Sequence, residues 1–217
     1  TDTGSVRPQF TEPGTYNITI SGPPQANQSS TLVLVIKYDL SQVKVDFGIS
    51  QPYYYSGKDP FDPDFENKVK VTVPGKDDPL IYGKDYTISR DKVNGGYTDA
   101  GTYKVTIGPA TNGKFFSTEP SFSYEIVSVS ESDKLTVPNL TKSLTLTYDG
   151  TEKTIPESAL TGKVIYDGTT TPLVYGTDYD ITYPDGNINA GENLRYTVVG
   201  KGNYSGLVKS GYFAIKP

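Results

Sequence analysis

Two short phrases recur along the chain at a fixed spacing. The segment 55–58 (YSGK) returns at 148–151 (YDGT), and the segment 82–88 (YGKDYTI) returns at 175–181 (YGTDYDI). Both pairs are offset by 93 positions. A period of this length predicts an array of small, similar modules rather than one large domain, because each repeat is a structural unit of its own.

A third phrase occurs three times, each time as a turn followed by an alternating strand. Its copies lie at 12–20 (EPGTYNITI), 99–107 (DAGTYKVTI) and 189–198 (NAGENLRYTV). Side chains of a strand alternate between its two faces, so these patterns predict one buried and one exposed face. The last copy keeps the alternation only if one residue is inserted after Gly191. We therefore predict a β-bulge at Glu192-Asn193.

The apolar face of each alternating strand is expected to form the hydrophobic core. The predicted core residues are Tyr86, Tyr103, Val105 and Ile107 in the first complete copy, and Tyr179, Leu194, Tyr196 and Val198 in the second. The two Asp-Tyr pairs at 85–86 and 178–179 are interpreted as structural, with Asp capping a turn and Tyr entering the core.

The spacing of the repeats divides the chain into three modules. Module 2 spans residues 39–129 and module 3 spans residues 130–217, whereas residues 1–38 match only the C-terminal part of a truncated β-module. We expect this part to pair with module 2, to pair with another molecule or to be loosely ordered, because half a module cannot bury its apolar face. Since the chain begins with Thr1 and contains no Met, we expect a processed form or an excised fragment.

The composition is that of a β protein. The 22 Gly and 16 Pro residues punctuate segments rich in Tyr, Val, Thr and Ile. Only 61–67 and 156–161 have helical character, each for a turn or two. We predict an all-β chain of tandem small β-sandwich (Ig-like) modules. A β-grasp-like module, with one short helix over a mixed sheet, is the alternative.

The missing residue types exclude several kinds of chemistry. Without Cys or His the chain has no disulfide, no zinc ligand of those types and no Ser-His-Asp or Cys-His catalytic group. A net charge of −5 argues against a nucleic-acid partner. No apolar run approaches the roughly 18 residues that predict a membrane span, so we expect no membrane insertion in this fragment.

The repeated phrases resemble those of a known family. The segments 83–88 and 176–181 look like the phrase G-x-D-Y-x-V, with Ile88 and Ile181 in its last position, and 187–191 (NINAG) and 200–206 (GKGNYSG) are also characteristic. They resemble MBG-type and bacterial immunoglobulin-like repeat modules of cell-surface adhesins. The resemblance implies a non-enzymatic, tandemly repeated module at the extracellular bacterial cell surface. In module 2 the segment 112–117 (NGKFFS) replaces GKGNYSG, which argues against one shared ligand contact at this loop.

Two clusters are candidate binding sites. Tyr53, Tyr54 and Tyr55 would stack on a sugar or peptide if exposed, although strand alternation would bury one or two of them. Four acidic residues offer oxygen ligands for calcium, and their alternative interpretation is a solvated loop. They are Asp59, Asp62, Asp64 and Glu66. We assign neither a metal nor a cofactor to the chain.

These features favour a non-enzymatic bacterial cell-surface protein fragment that acts as a stalk or an adhesion region. Its expected partners are a host glycan or a matrix protein, together with neighbouring modules of the same chain. A carbohydrate- or mucin-binding module is the first alternative. An accessory β-domain of a larger secreted enzyme is the second alternative.

Overall fold

A computed structural model describes residues 13–21, 29–76, 78–111, 115, 119–167, 169 and 171–217. These residues form short strands and two one-turn α-helices, which confirms the predicted all-β class with several sheets. The strands are β1 Gly14–Ser21, β2 Ser29–Ile36, β3 Lys44–Asp46, β4 Tyr53–Tyr54, β5 Lys70–Thr72, β6 Tyr86–Arg90, β7 Gly101–Pro109, β8 Ser121–Val127, β9 Leu135–Thr136, β10 Leu146–Thr147, β11 Ile165–Tyr166, β12 Tyr179–Thr182, β13 Gly191–Gly200 and β14 Val208–Lys216. The helices are α1 Phe65–Lys68 and α2 Glu157–Leu160. None of the described helices is long and apolar enough to span a membrane.

The described residues fall into two compact units, each built from several segments. The first comprises Thr1–Gly48, Phe61–Asp91 and Lys104–Tyr124. The second comprises Ile49–Pro60, Lys92–Tyr103 and Glu125–Pro217. The module boundaries at 38/39 and 129/130 rest on the sequence repeat and stay a prediction.

The same sheet topology occurs twice along the chain. Strands β4, β8, β7 and β6 form a four-stranded sheet in that order, and β10, β14, β13 and β12 form another. In both sheets the strand that comes first along the chain pairs in parallel with the strand that comes last (β4 with β8, β10 with β14). A two-stranded antiparallel sheet accompanies each one (β3 with β5, β9 with β11). Each copy thus has the two sheets of a small sandwich, together with the mixed pairing and short helix of the β-grasp alternative.

Each Asp-Tyr phrase forms the turn that was predicted for it. The Asp85 carboxylate accepts a hydrogen bond from the backbone N–H of Ile81 at 2.9 Å, and Asp178 accepts one from Val174 at 2.8 Å. The glycine two positions before each Asp has a φ near +80°, which disfavours residues with a Cβ. The tyrosines that follow, Tyr86 and Tyr179, are buried. The prediction of a structural role for both pairs is therefore confirmed.

The predicted β-bulge is present in β13. Gly191 pairs with Ile215 and Leu194 pairs with Phe213, so three steps along β13 match two steps along β14. One residue of the Glu192-Asn193 pair is therefore extra. A Cβ on Gly191 would lie only 2.8 Å from a methyl group of Leu194, so the side chain after the bulge packs back over the glycine.

The second compact unit has one continuous hydrophobic core that contains the predicted residues. Tyr179, Tyr196 and Val198 are fully buried in it, whereas Leu194 is only half-buried, because it lies at the edge beside the bulge. The Tyr196 hydroxyl donates a hydrogen bond to the backbone oxygen of Pro138 at 2.6 Å. The Tyr196 side chain therefore spans the core and binds backbone on its far side.

Aromatic packing holds the first compact unit. Phe61 packs edge-on against Phe65 and Tyr124, with ring centroids 5.1 and 5.0 Å away. The Arg90 guanidinium lies 4.3 Å from the Phe65 ring centroid and donates a hydrogen bond to the Tyr124 hydroxyl at 3.0 Å. The predicted core residues of module 2, all four of them, are buried. The helix α1 therefore anchors the segment that carries the four acidic residues.

The acidic segment does not gather its carboxylates. Asp64 accepts a hydrogen bond from the Asn67 side chain at 2.9 Å. In the part of the chain that the structure describes, no three acidic side chains are grouped as a metal ion would require. This arrangement gives the calcium hypothesis no support.

Strands β1 and β2 form a two-stranded sheet, paired antiparallel over eight positions. Several of the apolar side chains of this sheet are exposed, because two strands alone bury little apolar surface. They are Ile20, Leu32, Val33 and Val35.

Two tyrosine-to-phenylalanine substitutions test how a buried hydroxyl affects stability with and without a hydrogen bond. The Tyr179 hydroxyl is buried, has no hydrogen-bond partner among the described residues, and has a pKa that burial raises to about 12. We expect Tyr179→Phe to raise the free energy of unfolding by about 1 kcal/mol, because an unsatisfied polar group is removed. Tyr196→Phe, which loses a hydrogen bond, should lower it by about 1 kcal/mol. Urea denaturation measures both; equal destabilisation by the two variants would contradict the assignment.

Candidate functional site

The three consecutive tyrosines lie in three different environments. Tyr53 is half-buried in β4 and its hydroxyl lies 3.3 Å from that of Ser56. Tyr54, which points to the opposite face, is 52% exposed. Tyr55 is half-buried, and its backbone N–H donates to Val127 at 2.8 Å. Only Tyr54 therefore presents most of its ring to a ligand, and the binding role of the triplet stays a prediction.

A cavity of about 910 Å³ opens beside Tyr54 within the second compact unit. Besides Tyr54, three tyrosines line it: Tyr55, Tyr166 and Tyr204. The Tyr204 ring meets Tyr55 edge-on at 5.6 Å and Tyr166 at 6.3 Å between centroids. Burial, with the neighbouring Tyr55, raises the pKa of the Tyr204 hydroxyl. The wall is therefore a packed, neutral aromatic cluster with one exposed ring at its edge.

Charged groups line the same cavity. Glu131 forms an ion pair with Lys134 at 2.8 Å and accepts a hydrogen bond from the Tyr166 hydroxyl at 3.1 Å. These two donors hold the pKa of the Glu131 carboxyl below its usual range. Lys58 also lines the cavity, so its charged side chains comprise two cations and one anion. Hydroxyl groups of Ser56 and Ser130 add neutral hydrogen-bonding capacity.

A single loop holds Tyr204 in place. The Asn203 loop, which we define as residues 200–207, contains the phrase GKGNYSG. Asn203 accepts a hydrogen bond from the Ala100 N–H at 2.7 Å and donates one to the Asp99 carboxylate at 3.0 Å. Its own carbonyl accepts from the Val129 N–H at 3.0 Å. One side chain and one carbonyl thus join residues that are about 75 to 105 positions away in sequence, all of them in the second compact unit.

Two glycines explain why this loop is glycine-rich. Gly200 lies where a Cβ would collide with the carbonyl oxygen of Tyr204, at 1.8 Å, so only glycine lets the loop double back. A Cβ on Gly206 would lie 2.7 Å from the Val129 carbonyl oxygen and from the Ser130 Cβ. Close backbone approach, rather than an unusual φ, therefore requires glycine at these two positions.

The chemistry of the cavity suits binding. Exposed aromatic rings pack on the apolar faces of sugars or peptides, and hydroxyl, ammonium and carboxylate groups provide directional hydrogen bonds. Among the residues that the structure describes, Glu131 is the only carboxylate that lines the cavity, and its lowered pKa disfavours the protonated form that a general acid needs.

Sequence reasoning identified one edge of this site and missed the rest. The tyrosine triplet predicted Tyr54 and Tyr55 as binding residues. No pattern in the sequence predicted that Glu131, Lys134 or Tyr166 would lie beside them. The phrase GKGNYSG was a usable signal for Tyr204, since it is a glycine-rich loop with a polar-aromatic pair. In module 2 only Phe115 of the corresponding segment 112–117 is described; the other five residues lie outside the described part.

One comparison with known proteins gave a match, which covers part of the chain. Residues 42–139 match the family model of the MBG domain. This match confirms the resemblance to MBG-type modules for that part of the chain. No curated protein and no solved structure matches the chain.

Substituting Gly206 tests the close approach of the Asn203 loop. We expect Gly206→Ala to lower the free energy of unfolding by about 1–3 kcal/mol, because its methyl group would overlap backbone that cannot easily move. Gly96→Ala is the matched control, since a Cβ there meets only one atom, at 4.0 Å, and Gly96 has no positive φ. Thermal or urea unfolding of both variants gives the comparison. A Gly206→Ala variant as stable as the control would show that the loop is loosely seated.

Proposed function

We propose that this chain is a non-enzymatic section of a bacterial cell-surface protein, in which repeated β-modules form a stalk or an adhesion region. The observation that carries the proposal is the duplicated topology, in which each complete copy pairs its first sheet strand in parallel with its last. Because these two strands are parallel, the chain enters the sheet at one end and leaves it at the other, which suits copies joined in series. The MBG match supports a repeat module of this kind.

The distribution of reactive groups supports a role without catalysis. The sequence has neither His nor Cys, and the single carboxylate of the cavity is held in an ion pair. Tyrosine and aliphatic side chains form the buried core, and the sequence contains no Cys with which a disulfide could form. A chain of this kind tolerates compartments of any redox state, including the cell exterior.

Surface labelling of whole cells tests the proposed location. An antibody raised against the purified chain should label intact cells that express the protein from its native gene, and protease added outside should remove the label. Permeabilised cells and an antibody against a cytoplasmic protein serve as controls. Labelling that required permeabilisation would contradict a cell-surface role.

A carbohydrate- or mucin-binding function is the second candidate, and the cavity beside Tyr54 favours it. A cavity of about 910 Å³ is within the range of small-molecule sites, roughly 300–1,000 Å³. The two cations, Lys58 and Lys134, outnumber Glu131, although the whole chain has a net charge of −5. This local excess of positive charge favours a saccharide that carries a carboxylate or sulfate group.

The equivalent position in module 3 does not share this feature. At an offset of 93 residues Thr147 corresponds to Tyr54, and Thr151 corresponds to Lys58. A glycan site at the cavity would therefore be particular to one place in the array. Both proposals are compatible with one chain, because an array can carry a binding site at a single position.

Single substitutions of two exposed tyrosines, Tyr54 and Tyr212, test the glycan proposal. The full chain is screened on an array of neutral, sialylated and sulfated glycans, and the affinity for the best probe is measured by calorimetry. Tyr54→Ala should weaken binding at least about tenfold, or ~1.4 kcal/mol, through the loss of ring stacking. Tyr212→Ala is the matched control, because Tyr212 is 45% exposed but does not line the cavity.

Two results would overturn this proposal. One is a folded chain that binds no glycan on the array. The other is a glycan whose affinity falls equally in the Tyr54 and Tyr212 variants, since the binding surface would then lie elsewhere.

A further inference from the structure

One end of module 2 is covered by the Asn203 loop. The covered end consists of Tyr55, Asp99, Ala100 and Val129, which contact the loop through one ring and three hydrogen bonds. The Asn203 side-chain amide accepts a hydrogen bond from the Ala100 N–H and donates one to the Asp99 carboxylate. The second compact unit contains all of these residues.

The corresponding end of module 3 is exposed. Tyr148 corresponds to Tyr55 at the offset of 93, and Asn189-Ala190 corresponds to Asp99-Ala100 in the recurring turn-and-strand phrase, at an offset of 90. Tyr148 is 47% exposed, and both Asn189 and Ala190 are exposed as well. We call these three residues the open end of the chain.

The local backbone at the open end repeats that of the covered end. The Tyr148 N–H donates to the Lys216 carbonyl at 2.8 Å, as the Tyr55 N–H donates to Val127 at the same distance. Lys216 and Val127 are the last residues of β14 and β8, respectively. Tyr55 and Tyr148 therefore bond to the closing strand in the same way, whereas β13 carries a bulge just after Ala190, at Glu192-Asn193.

We propose that the open end is a docking surface for the Asn-Tyr loop of another module of this type, which would bind as the Asn203 loop binds the covered end. The incoming Tyr ring packs edge-on against Tyr148, and the incoming Asn amide accepts from the Ala190 N–H. Asn189 replaces Asp99 but retains a side-chain oxygen that can accept the amide's N–H. The inference rests on the proposed role as a repeat array.

The other inter-module connection on the chain has a contact of the same kind. Tyr38 lies two residues after the closing strand β2, and it forms a parallel bridge with Phe115, with ring centroids 5.5 Å apart. Val129 lies two residues after the closing strand β8 and binds the carbonyl of Asn203. In both cases the second residue after a closing strand meets the corresponding loop of the module that follows.

Amide hydrogen exchange in an extended chain tests the proposal. Residues 129–217 are appended directly after Pro217, so that Pro217 takes the place of Ser128. Exchange is followed residue by residue by NMR in the extended chain and in the 217-residue chain. We expect the Ala190 amide to exchange at least about tenfold more slowly in the extended chain, because a buried hydrogen bond must open first. The Ala100 amide, protected in both chains, is the internal reference.

Two asparagine variants locate the source of any protection. Asn203→Ala in the appended copy should restore fast exchange at Ala190 and leave Ala100 protected. The same substitution in the original copy should expose Ala100 and leave Ala190 protected.

Two outcomes would overturn the proposal. One is equal exchange at Ala190 in both chains while the strand amides of the appended copy are protected. The other is an appended copy that stays unfolded. The original residues 129–217 fold when they are joined through a linker of the same length, so this failure would mean that the open end does not accept the appended loop. Since the readout uses purified protein, either failure is distinct from a failure of the cell-surface labelling.

Discussion

Parallel pairing of the first and last sheet strands is the constraint on which the rest of this structure depends. Where β4 pairs with β8, the start of a module's main sheet lies beside the strand on which the module ends. The tyrosine triplet is consequently held next to Val127, and the chain leaves the sheet at Val129 beside Tyr55. The cavity, the Asn203 contacts and the site of Gly206 all lie around this point of exit.

The sequence predicted local features well because neighbouring residues determine them. Asp85 and Asp178 bond to backbone four positions away, so a short phrase contains the whole turn. The bulge after Gly191 was visible as a break in alternation. The buried face of each long strand followed from period two, except for Leu194, whose burial depends on its position at the edge.

Long-range features were not accessible in the same way. The strands β4 and β9 have two residues each, too few for any periodic signal. The cavity joins Tyr54, Glu131 and Tyr204, which are up to 150 positions apart and have no common motif. Of the triplet, only the structure distinguishes the exposed ring from the two half-buried ones. A binding site made of side chains from several turns requires the pairing of strands to be known first.

The β-bulge in β13 has a consequence for how neighbouring copies fold. Similar adjacent modules are prone to exchange strands with one another during folding, which is a characteristic failure of repeat proteins. Because β13 carries one residue more than its partner β14 between Gly191 and Leu194, a strand without that residue could not match β14 on both sides of the bulge in one register. A shift of one residue turns every buried side chain of a strand outward. The extra residue therefore disfavours the pairing of β14 with a strand from another module that lacks the bulge.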